Sequence, residues 1–213
     1  MPPKTKELNE RDTKLVEWLN EAHVKESELE GALTGHIALT EKPPYKKRLQ
    51  QHLKETREHK RSIARRIKAL GGAPTAGPDL PATPKVVGAA AGKAKAAVKG
   101  QVAAARALVT KQADTHVRNA QEELREEQVE IALYLRIETL ATEVGDAETT
   151  KLAKRIRREE ERMAKYLTAE LPRLVKDVVR AEIPRDQRAT SNRSRRRTAS
   201  RSRATRSRSA ASS

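Results

Sequence analysis

The sequence contains no cysteine and no phenylalanine, and aromatic residues account for only 2% of its 213 positions. The absence of cysteine excludes a disulfide framework, a thiolate metal site, an iron–sulfur cluster and a cysteine nucleophile, and it leaves the redox compartment undetermined. The scarcity of aromatic residues argues against a β-sandwich or β-barrel, whose strands are built from aromatic and β-branched residues.

Long hydrophobic runs are missing as well. No stretch of the sequence reaches the roughly 18 consecutive apolar residues of a membrane-spanning helix. The first 25 residues contain no apolar segment of the kind that forms the centre of a signal peptide. We therefore expect a chain without a membrane span and without a signal peptide, located in the cytoplasm.

Acidic residues are outnumbered by basic ones: 29 Asp and Glu stand against 45 Lys and Arg, which gives a net charge of +16. More than half of this excess lies in residues 185–213, which contain ten arginines and one aspartate. From Ile183 onward the chain consists mostly of Arg, Ser, Thr and Ala, without apolar periodicity. We predict that this basic C-terminal tail, residues 183–213, is disordered on its own.

Four stretches of the sequence repeat apolar residues in steps of three and four, which predicts four helices and an all-α protein. Pro43 and Pro44 separate the first two stretches, and Gly71-Gly72 ends the second. Gly145 ends the third. The predicted helices cover residues 11–39, 45–70, 115–144 and 148–180; helical character strengthens from about Gln101, and the last helix bends near Pro172.

The links between these helices differ in length, and this difference predicts the topology. Short links within the first and the second pair of helices predict two antiparallel hairpins, whereas a long crossover between the pairs is typical of a ferritin-like four-helix bundle. An up-and-down bundle with a loose insert is the alternative. The predicted units are the first hairpin over residues 1–72, a crossover rich in Pro, Gly, Ala and Lys over 73–113, the second hairpin over 114–182, and the tail over 183–213.

Polar residues interrupt the apolar stripe of every helix near its middle. A buried, unpaired carboxylate costs several kcal/mol, so it must be neutralised, paired or bound to a metal. Carboxylates and imidazoles together suit iron or manganese, and carboxylates can bridge two ions. The candidate ligands of two iron or manganese ions are Glu26, His52, Glu55, His59, Glu127, Glu130 and Glu160. In the alternative, the glutamates lie at the edge of each stripe and reach solvent, and the histidines are surface or capping residues.

Two motifs, with a third pattern in support, carry a resemblance to a known family. The segment HLKETREH (52–59), the segment EQVEIALY (127–134) and the EExxMA pattern at 159–164 resemble the ferritin-like superfamily. The most similar branch is that of the bacterial YciE/YciF-type stress proteins, which are related to rubrerythrins. The resemblance covers about 110 to 120 residues in two blocks. It implies a four-helix bundle with a dinuclear metal site, whose ligands would be Glu26, Glu55, Glu127, Glu130 and Glu160.

The sequence departs from the family pattern at two ligand positions. Glu55 is followed by Glu58 at the third position and by His59 at the fourth, so the ExxH of the second helix is absent in its usual form. Met163 stands where the ExxH of the fourth helix would place a histidine. His52 would substitute as a ligand from the preceding turn. The sequence does not decide whether the protein is an oxidase, a peroxidase or no enzyme.

The high arginine content of the tail predicts a second function. Arginines pair with phosphates bidentately, and a flexible basic tail binds nucleic acid without sequence preference. The alternatives are an anionic membrane or polyphosphate surface, or a solvated tail. The predicted partners are nucleic acid and, in a homodimer, a second copy of the chain. We thus expect a bacterial cytoplasmic, nucleoid-associated metal protein with a role in stress; the alternative is a non-enzymatic structural protein of the nucleoid whose bundle binds no metal. The predicted nucleic-acid contacts are Arg193, Arg195, Arg196, Arg197, Arg201, Arg203, Arg206 and Arg208.

Overall fold

A computed structural model describes residues 8–75 and 98–189, with side chains from residue 108 onward in the second range. Most of the crossover and the arginine-rich part of the tail, with all eight predicted nucleic-acid contacts, lie outside the described residues. Within them the protein has no strand, which confirms the all-α prediction. The helices are α1 (Glu10–Leu39), α2 (Pro43–Ala69), α3 (Val98–Glu143) and α4 (Ala147–Glu182), followed by a 3-10 turn at Arg185–Gln187.

The helix ends follow the local sequence, with two differences from the predicted bounds. Pro43 and Pro44 begin α2 rather than precede it, because the first helical positions need no backbone N–H donor. α3 begins at Val98, close to the point where helical character was expected to strengthen, since the alanines of this stretch favour helix. α4 continues through Pro172. Gly145, with φ of 73°, supplies the left-handed residue between α3 and α4.

Side-chain contacts fix the direction of the helices. Tyr45 and His52 of α2 contact Glu123 and Glu127 of α3, respectively, so residue numbers increase in the same direction along both helices. Two helices joined directly by a short loop cannot be parallel, so α2 and α3 require the long crossover. This arrangement confirms the ferritin-like bundle and excludes the up-and-down alternative.

The core of the bundle is divided into two apolar clusters with a polar layer between them. Along α2, Leu49 belongs to one apolar cluster and Ile63 to the other, and His52, Thr56 and His59 lie between these two residues. Each buried Leu or Ile side chain contributes about 1.5–3 kcal/mol to folding. The two apolar clusters therefore supply the stability that offsets the cost of the polar layer.

In the part of the chain that the structure describes, no helix has the length and hydropathy needed to cross a membrane.

Candidate metal centre

Six of the seven predicted metal ligands are fully buried in the polar layer. All four helices contribute to it, and each of the six side chains has a relative exposure of 0%. The phase of the apolar stripes therefore identified the inward side of each helix, and the surface alternative does not apply to these residues. The six residues are Glu26 from α1, His52 and His59 from α2, Glu127 and Glu130 from α3, and Glu160 from α4.

Five of these side chains form two groups that share one carboxylate. In the first group, His59 Nδ1 lies 2.9 Å from Glu160 Oε1 and 3.3 Å from Glu26 Oε1. In the second group, His52 Nε2 lies 2.8 Å from Glu127 Oε1 and 3.7 Å from Glu160 Oε2. The ligand atoms within each group are all within 4.8 Å of one another. Glu160 therefore directs one oxygen to each group, as a bridging carboxylate does.

The close contacts inside the layer are not hydrogen bonds. Both oxygens of Glu127, Glu130 and Glu160 are buried without a hydrogen-bond partner. The same holds for Glu26 Oε2, His52 Nε2 and His59 Nδ1. Buried polar atoms of a protein nearly always have partners. Nine buried donor atoms without a hydrogen-bond partner therefore converge on this one layer.

The donor set fits a pair of divalent cations. Oxygen and imidazole donors suit iron and manganese. Four ionised carboxylates carry four negative charges, which two divalent cations balance, and a shared carboxylate is the usual bridge of a two-metal site. The residues present therefore fit the metals that the sequence predicted, with two imidazoles supplied by one helix.

Glu130 is a buried carboxylate whose charged form the protein does not stabilise, since neither of its oxygens has a hydrogen-bond partner. Burial raises its pKa well above the usual range, and the nearby carboxylates of Glu26, Glu160 and Glu127 raise it further. Lys25 acts in the opposite direction. In the metal-free protein at neutral pH, this residue therefore destabilises the fold, either as a buried anion or through the proton that it must take up.

Replacing Glu130 by Gln is expected to stabilise the metal-free protein on the order of 1 kcal/mol at pH 7, which corresponds to a rise in Tm of about 2–4 °C. Because the pKa of Glu130 is higher in the folded than in the unfolded chain, its destabilising effect is complete above the folded pKa. The effect shrinks as the pH falls towards 4.5 and disappears below that pH, where both the folded and the unfolded chain are protonated at this residue. Thermal unfolding in the presence of a chelator measures this at several pH values. A Tm gain that is the same at pH 7 and pH 4.5 would contradict the explanation.

Glu55, the seventh predicted ligand, lies outside both groups. Its side chain is 23% exposed and accepts hydrogen bonds from Arg48 Nη1 at 3.1 Å and Gln51 Nε2 at 3.2 Å. Burial alone would raise the pKa of Glu55, but hydrogen bonds from His52, Gln51 and Arg48 lower it to about 2. Since each helical residue turns by about 100°, the residue before the buried Thr56 cannot share its direction. Glu55 therefore stands beside His52 rather than among the converging donors.

Two glutamates without a predicted role, Glu123 and Glu159, lie beside the polar layer. Glu159 Oε2 lies 2.6 Å from His59 Nε2. Glu123 is buried one turn before Glu127; it accepts a 2.6 Å hydrogen bond from the Tyr45 hydroxyl and lies 2.8 Å from His36 Nδ1. The four-residue spacing to Glu127 was a signal for Glu123. Nothing in the run of three glutamates at 159–161 distinguishes Glu159.

Two further side chains, Tyr134 and Met163, lie where the polar layer meets the apolar clusters. The Tyr134 hydroxyl, buried in one apolar cluster, donates a hydrogen bond to Glu26 Oε1. Met163, one turn after Glu160, packs in the other apolar cluster with Leu167. The fourth helix thus offers one carboxylate to the layer and an apolar side chain to the cluster beside it.

Comparison with known proteins agrees with this architecture. Residues 10–83 and 82–180 match the family described as Domain of unknown function (DUF892). No curated protein sequence matches the chain. The fold resembles that of a Xanthomonas campestris pv. campestris protein (TM-score 0.62, 20% identity) over 81% of this chain and 99% of the other.

Two further solved structures share the bundle. A Desulfovibrio desulfuricans bacterioferritin, described with a diiron site, has a TM-score of 0.57 and 19% identity over 85% of this chain and 94% of its own. The Escherichia coli stress protein YciF has a TM-score of 0.53 and 18% identity over 79% of this chain and 99% of its own. The resemblance inferred from the two motifs is thereby confirmed. The chain belongs to the DUF892 family, and its fold is the ferritin-like bundle that it shares with YciF and the bacterioferritin.

Proposed function

We propose that this protein binds two iron or manganese ions in the centre of its bundle. One ion would be held by Glu26, His59 and Glu160, the other by His52, Glu127 and Glu160, with Glu130 as a further carboxylate ligand. The observation that carries the proposal is the convergence of nine buried donor atoms without hydrogen-bond partners. Bound iron or manganese would supply one-electron redox chemistry towards oxygen or peroxide.

The protein's own residues prepare this site in three ways. Glu160 connects the two groups, because each of its oxygens faces a different histidine. Tyr134 holds Glu26 in place through its hydroxyl. The apolar clusters on both sides exclude bulk water, which strengthens the attraction between carboxylates and a cation. The layer therefore favours a small divalent cation and disfavours a large polar substrate.

A role in stress is part of the proposal. It is supported by the likeness to the Escherichia coli stress protein YciF and to a bacterioferritin with a diiron site. We place this role in the bacterial cytoplasm. A homodimer stays a prediction of the sequence alone.

Metal analysis of the purified full chain tests the function directly. We expect two ions per chain after incubation with Fe²⁺ or Mn²⁺ under anaerobic conditions, and we expect Tm to fall when a chelator removes them. At a free metal concentration 100 times Kd, each site adds about 2.7 kcal/mol to the free energy of unfolding. A chain that takes up no divalent metal and shows the same Tm with and without chelator would contradict the proposal and leave the bundle as a scaffold.

A second candidate function, non-specific binding of nucleic acid, rests on the tail. Ten arginines and one acidic residue among residues 185–213 give a net charge of +9 at one end of the chain. Arg188 is used by the fold, since its guanidinium donates to the carbonyl oxygens of Ile183 and Arg180 at 2.7 and 2.8 Å. The eight arginines from Arg193 onward are therefore the proposed contacts, and binding of this kind would associate the protein with the nucleoid.

A further inference from the structure

Each of the two histidines in the polar layer, His52 and His59, has a carboxylate on the side of its ring that faces away from the two groups of candidate ligands. Glu159 Oε2 is 2.6 Å from His59 Nε2, and Glu55 Oε2 is 3.4 Å from His52 Nδ1. These two contacts have hydrogen-bond geometry, whereas the inward nitrogens of both rings lack a hydrogen-bond partner. The inward atom is thus Nδ1 in His59 but Nε2 in His52.

Arginines hold both outer carboxylates. Glu55 pairs with Arg48 Nη1 at 3.1 Å. Glu159 lies 3.5 Å from Arg155 Nη1 and 3.7 Å from Arg162 Nη2. A permanently charged guanidinium keeps the carboxylate an acceptor of the imidazole N–H. Both rings are therefore anchored from the partly exposed surface of the bundle, through a guanidinium and a carboxylate.

The two imidazole rings come from one helix but reach different oxygens of Glu160. His52 and His59 are seven residues apart, which corresponds to a rise of about 10 Å along α2. Carboxylate-bridged metal ions are only about 3.5–4 Å apart. In this structure His59 approaches the shared Glu160 through Nδ1, the nitrogen nearer to its Cβ, and His52 approaches it through the more distant Nε2.

We propose that Glu159 and Glu55 are positioning residues that fix the two histidines in opposite tautomers. Glu159 holds the proton of His59 on Nε2 and leaves Nδ1 free for the first group. Glu55 holds the proton of His52 on Nδ1 and leaves Nε2 free for the second group. This inference rests on the proposed function, and it adds that the two metal positions differ in the imidazole nitrogen that binds.

Nitrogen NMR of the full chain, labelled with ¹⁵N in histidine and loaded with Zn²⁺ as a diamagnetic probe, tests the inference. We expect one histidine to bind Zn²⁺ through Nδ1 and the other through Nε2. Glu159→Ala is expected to shift the signals of His59 alone and to lower Zn²⁺ affinity about 10–100-fold. Glu55→Ala is expected to do the same for His52. Glu159→Gln should restore most of the affinity, because the amide oxygen can accept the same N–H.

Glu58→Ala is the matched control. Glu58 precedes His59 on α2 and pairs with Arg61 and Arg65 on the surface, without contact to either imidazole. Its replacement should leave the histidine signals and the Zn²⁺ affinity unchanged. Binding of both histidines through the same nitrogen, or unchanged His59 signals in Glu159→Ala, would overturn the inference.

Spectra of the metal-free protein separate this inference from the metal function. The outer N–H protons, on Nε2 of His59 and Nδ1 of His52, should be protected from exchange and should lose this protection in Glu159→Ala and Glu55→Ala, respectively. If the wild-type chain binds no Zn²⁺ but these protons behave as expected, the metal function fails and the positioning of the rings stands. If the protons exchange freely in the wild type, the positioning role is wrong.

Discussion

Replacing Glu160 by Gln is expected to abolish metal binding at both positions, from two ions per chain to none at concentrations that saturate the wild type. The reason is that Glu160 alone contributes to both groups, through Oε1 near His59 and Oε2 near His52. Glutamine keeps the size of the side chain but removes the negative charge, and it offers only one oxygen. Elemental analysis after desalting and calorimetric titration with Mn²⁺ measure the stoichiometry.

Variants that lose a carboxylate from only one of the two ligand groups provide the comparison with Glu160→Gln. Glu26→Gln should weaken only the position at His59, and Glu127→Gln only the position at His52, because each of these glutamates belongs to one group. Glu161→Gln is the matched control: Glu161 is the next residue on α4, is exposed and pairs with Arg157 on the surface. Two bound ions in Glu160→Gln would refute the shared carboxylate. Loss of both ions in Glu26→Gln would show that the two positions do not fill independently.

The inward side of each helix could be predicted from the sequence because burial follows a regular pattern. Apolar residues at steps of three and four define a face, and a polar residue at the same step must share it. Glu26 between Ala22 and Leu29, and Glu160 between Ile156 and Met163, satisfy this rule and are buried as expected. The same rule places His52 and His59 inside, and both are buried.

The sequence could not assign the glutamates that lie beside an inward position. Neighbouring helical residues differ in direction by about 100°, and a small rotation of the helix decides whether a long side chain reaches the centre or the rim. Glu55 reaches the rim beside His52. Glu159 lies directly before Glu160 and reaches the opposite side of His59. These assignments depend on helix rotation and side-chain conformation, which a residue pattern does not encode.

The direction of α2 relative to α3 was predictable for another reason. Loop lengths limit which helices can be antiparallel neighbours, and the crossover is long enough to return the chain to the other end of the bundle. The pairing of Tyr45 with Glu123 then follows from the parallel arrangement. Which imidazole faces which carboxylate follows only from packing, since the two halves of the layer contain the same types of residue.

Removal of the arginine-rich tail is expected to abolish most of the affinity for DNA. Each phosphate neutralised on duplex DNA contributes about −0.9 to the slope of log affinity against log salt. If all eight arginines from Arg193 onward contact phosphate, the slope of the full chain is about −7, and affinity falls about ten thousandfold between 50 and 200 mM salt. The binding should not depend on the DNA sequence, because the tail contains no aromatic residue for stacking on bases.

The comparison uses the full chain and a shortened chain that ends at Ala189, which keeps Arg188 and its hydrogen bonds to the end of α4. Helicity and metal content should be the same in both, since the metal layer lies entirely within the four helices. Changing the eight arginines to lysine keeps the charge and should preserve the salt slope, whereas changing them to glutamine should match the shortened chain. Equal DNA affinity of the full and shortened chains would exclude the tail as the binding element. A shallow slope for the full chain would instead indicate a contact surface on the bundle, where basic side chains such as Arg61 and Arg65 are exposed.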